Sequence, residues 1–209
     1  VYVEVVNEEW LLSEEQVRSL LKSIHGHVGA NRSVYPFMRT VAEQALLPRE
    51  AQALCVSDVV LSGDDGAKLT VRRNGKAREI PLHPQFAEFV RTWINGAGLQ
   101  EGDLLFPGTR GRPLSASDYK QIWEQAQEAV LPRDELYSWR LGEPISILRD
   151  SCLVKWLRAG ISPVTVAEWA DVTPRWLVLR YPHCFRTEDV EIDWDHLAEA
   201  MALPDSLKP

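Results

Sequence analysis

Residues 145–183 read ISILRDSCLVKWLRAGISPVTVAEWADVTPRWLVLRYPH, and the parsing of this stretch decides the fold. The first sixteen residues form an apolar-patterned helical run that stops at Gly160. Two short helices follow, over SPVTVAEWADV (162–172) and TPRWLVLRY (173–181). Arg149 is the one arginine in the apolar part of the first run. It is either a solvent-facing helix charge or a remnant of an active site, and the rest of the chain has to decide.

Upstream, Ser13 stands three residues before Gln16, the spacing of a capping box, and Val17, Leu20, Leu21 and Ile24 recur at helical intervals. SVYPFMRTVAEQALL (33–47) predicts a second helix, ended by Pro48, which suits the first turn of a short third one. The period then changes. DVVL, KLTVRR and REIPL are β-rich, and Asn74-Gly75 between the last two is a hairpin signal. Helical spacing returns in HPQFAEFVRTWING (83–96) and in a helix capped at Ser115 or Ser117. Residues 131–144 read as a polar connection. DWDHLAEAMAL (193–203) presents Trp194, Leu197, Ala198 and Met201 as an apolar stripe. The expected architecture is α+β, mostly α-helical, with a small three-stranded antiparallel sheet. The expected division is a main domain over 1–186 and an acidic helix or tail over 187–209.

With 45% apolar and 25% charged residues, the 209-residue chain has the composition of a globular protein. No apolar run approaches the roughly 20 residues of a membrane span, so no membrane is expected as partner. Cys55, Cys152 and Cys184 are odd in number and far apart, which suits a reducing cytoplasm better than a disulfide framework. His25 and His27 lack metal-ligand spacing, and no metal or cofactor is expected. The net charge of −7 argues against nucleic acid until it is mapped. Residues 187–209 hold seven acids against one lysine, whereas 61–186 hold fifteen acids against seventeen bases. The acidity is terminal, and the centre is mildly basic.

Four segments carry a resemblance. LLPREAQALCVSDV (46–59), VRRNGKAREIPLHP (71–84), DLLFPGTRGRPLSASDYKQIW (103–123) and 145–183 occur in the order and spacing of the catalytic domain of tyrosine recombinases, the phage integrase family. The resemblance runs from about Leu11 to His183. It implies a domain in which two arginines, a lysine and histidine-type donors surround a tyrosine that attacks a DNA phosphodiester. Bidentate guanidinium contacts would stabilise charge on the phosphate oxygens, and a hairpin lysine would protonate the leaving oxygen.

The family pattern assigns the first arginine position to Leu47, the lysine position to Arg73 and the two histidine positions to Ser146 and Asp171. Arg149 keeps the second arginine and Tyr181 the nucleophile, so two of six positions retain their residue type. Arg49 lies about 200° around a helix from Leu47 and so on another face. Each lost donor costs on the order of 10²–10³ in rate. Guanidinium is a poor acid at neutral pH. A carboxylate at Asp171, about 5 Å from a phosphate, would repel it by about 3 kcal/mol.

The resemblance therefore implies a degenerate recombinase that binds double-stranded DNA without cleaving it. Arg72, Arg73, Lys76 and Arg78 on the hairpin, with Arg110 and Arg112, are the expected phosphate contacts, and Arg180 is among the further basic candidates. Arg149 is expected to pair with Asp171 or Asp150, and Tyr181 to be a core or cleft aromatic. Two alternatives stand beside this reading. One is an interaction scaffold or regulator that acts through its C-terminal helix on a partner recombinase, forming a homo- or hetero-oligomer through 192–203, and the other is a slow residual recombinase using Tyr181. The degenerate reading requires that no second guanidinium stand beside the Tyr181 oxygen.

Overall fold

The computed structural model describes residues 3–27, 31–63, 66–140 and 142–185. Helix α1 (Glu14–His25) begins where the sequence places it: the Ser13 hydroxyl accepts from Gln16 N–H at 3.1 Å, and Gln16 Oε1 accepts from Ser13 N–H at 3.0 Å. Leu20, Leu21 and Ile24 form its buried face. Helix α2 (Val34–Gln44) ends in Ala45, which adopts left-handed geometry at φ 49°. Pro48 opens α3 (Pro48–Ala53), where the Glu50 carboxylate accepts from Leu47 N–H at 2.9 Å.

Strands β1 (Val59–Val60), β2 (Lys68–Arg73) and β3 (Lys76–Pro81) form one antiparallel sheet in that order. Arg73 pairs with Lys76 across the two-residue turn, and Asn74 and Gly75 both have positive φ, 52° and 76°, as a type I′ hairpin demands. Leu69, Val71 and Ile80 turn one face of the hairpin into the core.

Helix α4 (Pro84–Ala97) follows, capped by His83, and then α5 (Ala116–Val130). Of the two candidate caps for α5, Ser115 is the one observed; its N–H and hydroxyl both donate to Asp118, at 2.7 and 2.8 Å. Helix α1 packs on α5, and α2 packs on α7 (Ser146–Arg158). Short helices α8 (Pro163–Ala170) and α9 (Pro174–Arg180) complete the described order. The chain is mostly helical with one three-stranded antiparallel sheet, the class expected of it.

Residues 131–144 differ from the expected polar connection. They form a single turn, α6 (Arg133–Glu135), that runs into a π-turn over Leu136–Arg140. Arg140 is fully buried: it meets Glu135, donates to Glu143 at 3.1 Å, and donates to the carbonyls of Trp10 and Leu11 at 2.7 and 3.0 Å. Three of its charges, Glu135, Arg140 and Glu143, pair with one another inside the fold. No helix among the described residues is long and apolar enough to cross a membrane. The expected interaction helix at 192–203 lies outside the described residues.

Candidate functional site

The α3 helix, the hairpin, the first turn of α7 and the end of α8 converge on one buried carboxylate. Glu50, 4% exposed, accepts two hydrogen bonds from Arg78, at 3.0 and 2.9 Å. Arg73 and Arg149 add guanidinium nitrogens at 3.6 and 3.8 Å. Burial by itself raises the Glu50 pKa. The Arg78 hydrogen bonds, the Leu47 N–H and the Arg149 charge outweigh it and hold the carboxyl below its ordinary range.

Arg149 is not a solvent-facing charge; it is 5% exposed. One Nη donates to the Ala45 carbonyl at 2.6 Å, and the other to the Ala170 carbonyl at 2.9 Å. It therefore caps the C-terminal ends of α2 and α8, where unsatisfied carbonyls concentrate negative charge. Its ion-pair partner is Glu50, neither Asp171 nor Asp150, which corrects the pairing expected from the sequence. Burial lowers its pKa, opposed by the Glu50 charge.

Tyr181 has no exposed surface. Its hydroxyl donates to Asp150, and Arg180 grips the same carboxylate through Nε at 3.0 Å and Nη2 at 3.1 Å. Burial, then the Asp150 charge, push the phenol pKa well up from its ordinary value. Burial works against the Arg180 charge, but the Asp150 hydrogen bonds and charge more than compensate and raise its pKa. Arg180 Nε also stands 3.3 Å from the Tyr181 oxygen. A second guanidinium is thus beside the tyrosyl oxygen, contrary to what the degenerate reading required. It is Arg180, named from the sequence only among the outlying basic candidates, and it is held in a two-point grip on Asp150.

Two of the remaining positions border the Glu50 cluster: the Leu47 N–H donates to Glu50, and Asp171 pairs with Arg73, which stands 3.6 Å from Glu50. Leu47 caps α3 through its backbone, and Arg49 is exposed with no ion pair among the described residues. Ser146 is half-buried at the first turn of α7. Asp171 ends α8 in left-handed geometry, φ 52°, and pairs with Arg73 Nε at 3.0 Å. His183 is half-buried, its ring 6.4 Å from that of Tyr181.

The basic residues of the hairpin divide. Arg78 turns inward, donating through Nε to the Trp169 carbonyl at 2.7 Å as well as to Glu50. Arg72 meets Asp58, and Arg112 meets Asp118 at 2.9 Å, though both side chains remain about half exposed or more. Lys76 and Arg110 are exposed and carry no ion pair among the described residues. No cluster of three metal-ligating side chains occurs among the described residues.

Glu50, Asp150 and Arg180 organise the site, yet the sequence pointed to no role for Glu50 and set Asp150 beside Arg149 instead of Arg180. The available signal was charge balance: a helix-capping glutamate opposite an arginine-rich hairpin needs cations if it is buried.

No curated protein sequence matches the chain significantly. Among solved structures, the XerH site-specific recombinase bound to difH substrate in a pre-cleavage complex superposes with a TM-score of 0.68 at 16% identity, covering 97% of this chain and 56% of that one. The catalytic domain of bacteriophage HP1 integrase gives 0.56 at 18% identity, covering 94% and 96% of the two chains. The Tn1549 transposon integrase in complex with transposon right end DNA gives 0.62 at 15% identity, covering 92% and 66%. The chain thus spans little more than half the length of XerH but nearly all of the HP1 catalytic domain. The model of the phage integrase family matches residues 11–171, most of the chain, and the chain belongs to that family.

Proposed function

We propose that this chain binds duplex DNA and leaves its strands intact. The reading is carried by Tyr181, whose hydroxyl is buried and donates to Asp150, itself gripped by Arg180. To attack a phosphate, the phenol has to leave that carboxylate, and Arg180 has to exchange it for the phosphate. Stripping a part-buried carboxylate of its partners costs several kcal/mol, on the order of 3–5. Leu47, Ser146 and Asp171 supply no cation to offset it, and Arg180 does stand beside the Tyr181 oxygen, so the reading rests on Asp150 engaging that guanidinium and no longer on its absence.

DNA binding is supported by neighbours of known structure that are described in complexes with difH and transposon DNA. Lys76 and Arg110 are the free cations on the proposed surface, and Arg72 and Arg112 add to them by exchanging a carboxylate for a phosphate. A footprint of two to four phosphates gives a log–log salt slope of roughly −2 to −4. Fluorescence anisotropy on a short duplex across a salt series tests this. Binding with that slope is expected, and no binding at the lowest salt overturns it.

A second reading has a specific observation behind it. Arg180 beside the Tyr181 oxygen gives a slow strand transferase one of the cations that Leu47 withholds. It predicts a covalent Tyr181–DNA adduct, and the two readings separate on that product.

A further inference from the structure

We propose that the cleft where α1, α2, α7 and the start of α4 meet binds a small organic anion with an apolar body. The cleft encloses about 560 Å³, within the range of small-molecule sites. Its lining is mixed: Leu21, Ala42, Phe86, Leu148 and Trp156 form an apolar wall among charged and polar side chains. Four of the charged lining residues pair off. Glu14 is matched by Lys155 at 3.5 Å, and Glu43 by Arg39 at 2.7 Å. Arg39 is further fixed by its guanidinium lying 4.0 Å from the centre of the Phe89 ring.

Arg18 is left over. It lines the same cleft, is exposed, and carries no ion pair or hydrogen bond among the described residues. The cleft therefore offers an apolar wall and one guanidinium without an ion pair among the described residues, the complement of an aryl or alkyl carboxylate or sulfonate. This site is separate from the DNA surface proposed above, and neither reading depends on the other. Helix α7 bears both regions: Leu148, Ser151, Cys152 and Lys155 line the cleft, while Arg149 and Asp150 belong to the tyrosine site.

The test uses the full chain and anilinonaphthalene sulfonate, a fluorescent anion with an apolar body. We expect one saturable site, emptied by decanoate and not by decyltrimethylammonium or inorganic phosphate. Arg18→Met removes a charged partner on the surface and should weaken binding about tenfold. Ala42→Leu fills the interior and should weaken it comparably, with the near-ultraviolet circular dichroism of the folded protein unchanged. Equal displacement by the cationic amphiphile, displacement by phosphate alone, or undiminished binding to Arg18→Met overturns the proposal. Sedimentation with phosphatidylglycerol vesicles distinguishes the ligand's source. Retention that Arg18→Met abolishes would assign the site to a lipid surface and overturn the free-ligand reading.

Discussion

Tyr181 and Asp150, thirty-one residues apart, share one proton-mediated contact: the phenol donates and the carboxylate accepts. Arg180 holds the far side of that carboxylate at 3.0 and 3.1 Å, so the hydroxyl faces an anion that is already fixed in place. Tyr181 is, in this chain, a buried donor to an internal acid.

The contact has a signature at alkaline pH. An unfolded tyrosine releases its proton near pH 10. In the folded chain, burial and the Asp150 charge hold the Tyr181 proton to higher pH. Below about pH 10 both states keep the proton and the contact contributes in full; above it the unfolded state alone sheds the proton, and stability falls. Ultraviolet titration of tyrosinate should show that Tyr181→Phe leaves the first alkaline step unchanged and removes amplitude only at unfolding. Loss of amplitude from the first step would mean that the phenol is accessible.

Glu50 should be the carboxylate whose removal costs most. Glu50→Gln leaves Arg78, Arg73 and Arg149 facing a neutral amide, and breaking such a buried set costs about 3–5 kcal/mol. Its depressed pKa gives a second readout. The stabilisation is present above about pH 4.3, the unfolded value, and is lost as pH falls through the lower folded value. Urea denaturation across this window should show a steep acid limb in the parent that flattens in Glu50→Gln. A variant within about 0.5 kcal/mol of the parent would remove Glu50 from its central place.

Neighbours on the hairpin should behave differently. Lys76→Ala should reduce the magnitude of the DNA salt slope by about one and leave the melting temperature unchanged. Arg78→Ala leaves Glu50 without its bidentate partner and should lower the melting temperature by several degrees. Paired anisotropy and thermal melts check both. Unchanged DNA binding in Lys76→Ala, or an unchanged melt in Arg78→Ala, would contradict the division into outward and inward cations.

What the sequence made legible was local. Ser13 with Gln16, Pro48 and Asn74-Gly75 specify a cap, a helix start and a hairpin through contacts within a few residues, and each is found where expected. The order of elements and the family followed from four such segments in register. The charge pairing of the site was not legible, because it is set by contacts between distant residues. Arg78 and Glu50 are 28 residues apart, and Arg140 reaches the Trp10 carbonyl across 130. An arginine in sequence looks like a phosphate ligand or a solvated charge; only the fold reveals which carboxylate or helix end claims it. Arg149 illustrates this. Its neighbours in sequence suggested Asp150, yet the geometry gives it the ends of two helices and a glutamate from a third.

The central claim is that Tyr181 does not form a bond to DNA, and one measurement addresses it directly. The full chain is incubated with a pool of nicked duplexes of randomised sequence, which trap a covalent intermediate by releasing the short fragment, and the products are separated under denaturing conditions. The account predicts salt-sensitive retention of duplex before denaturation and no covalent protein–DNA species afterwards, for the parent and for Tyr181→Phe alike. A covalent species formed by the parent and absent from Tyr181→Phe would contradict it.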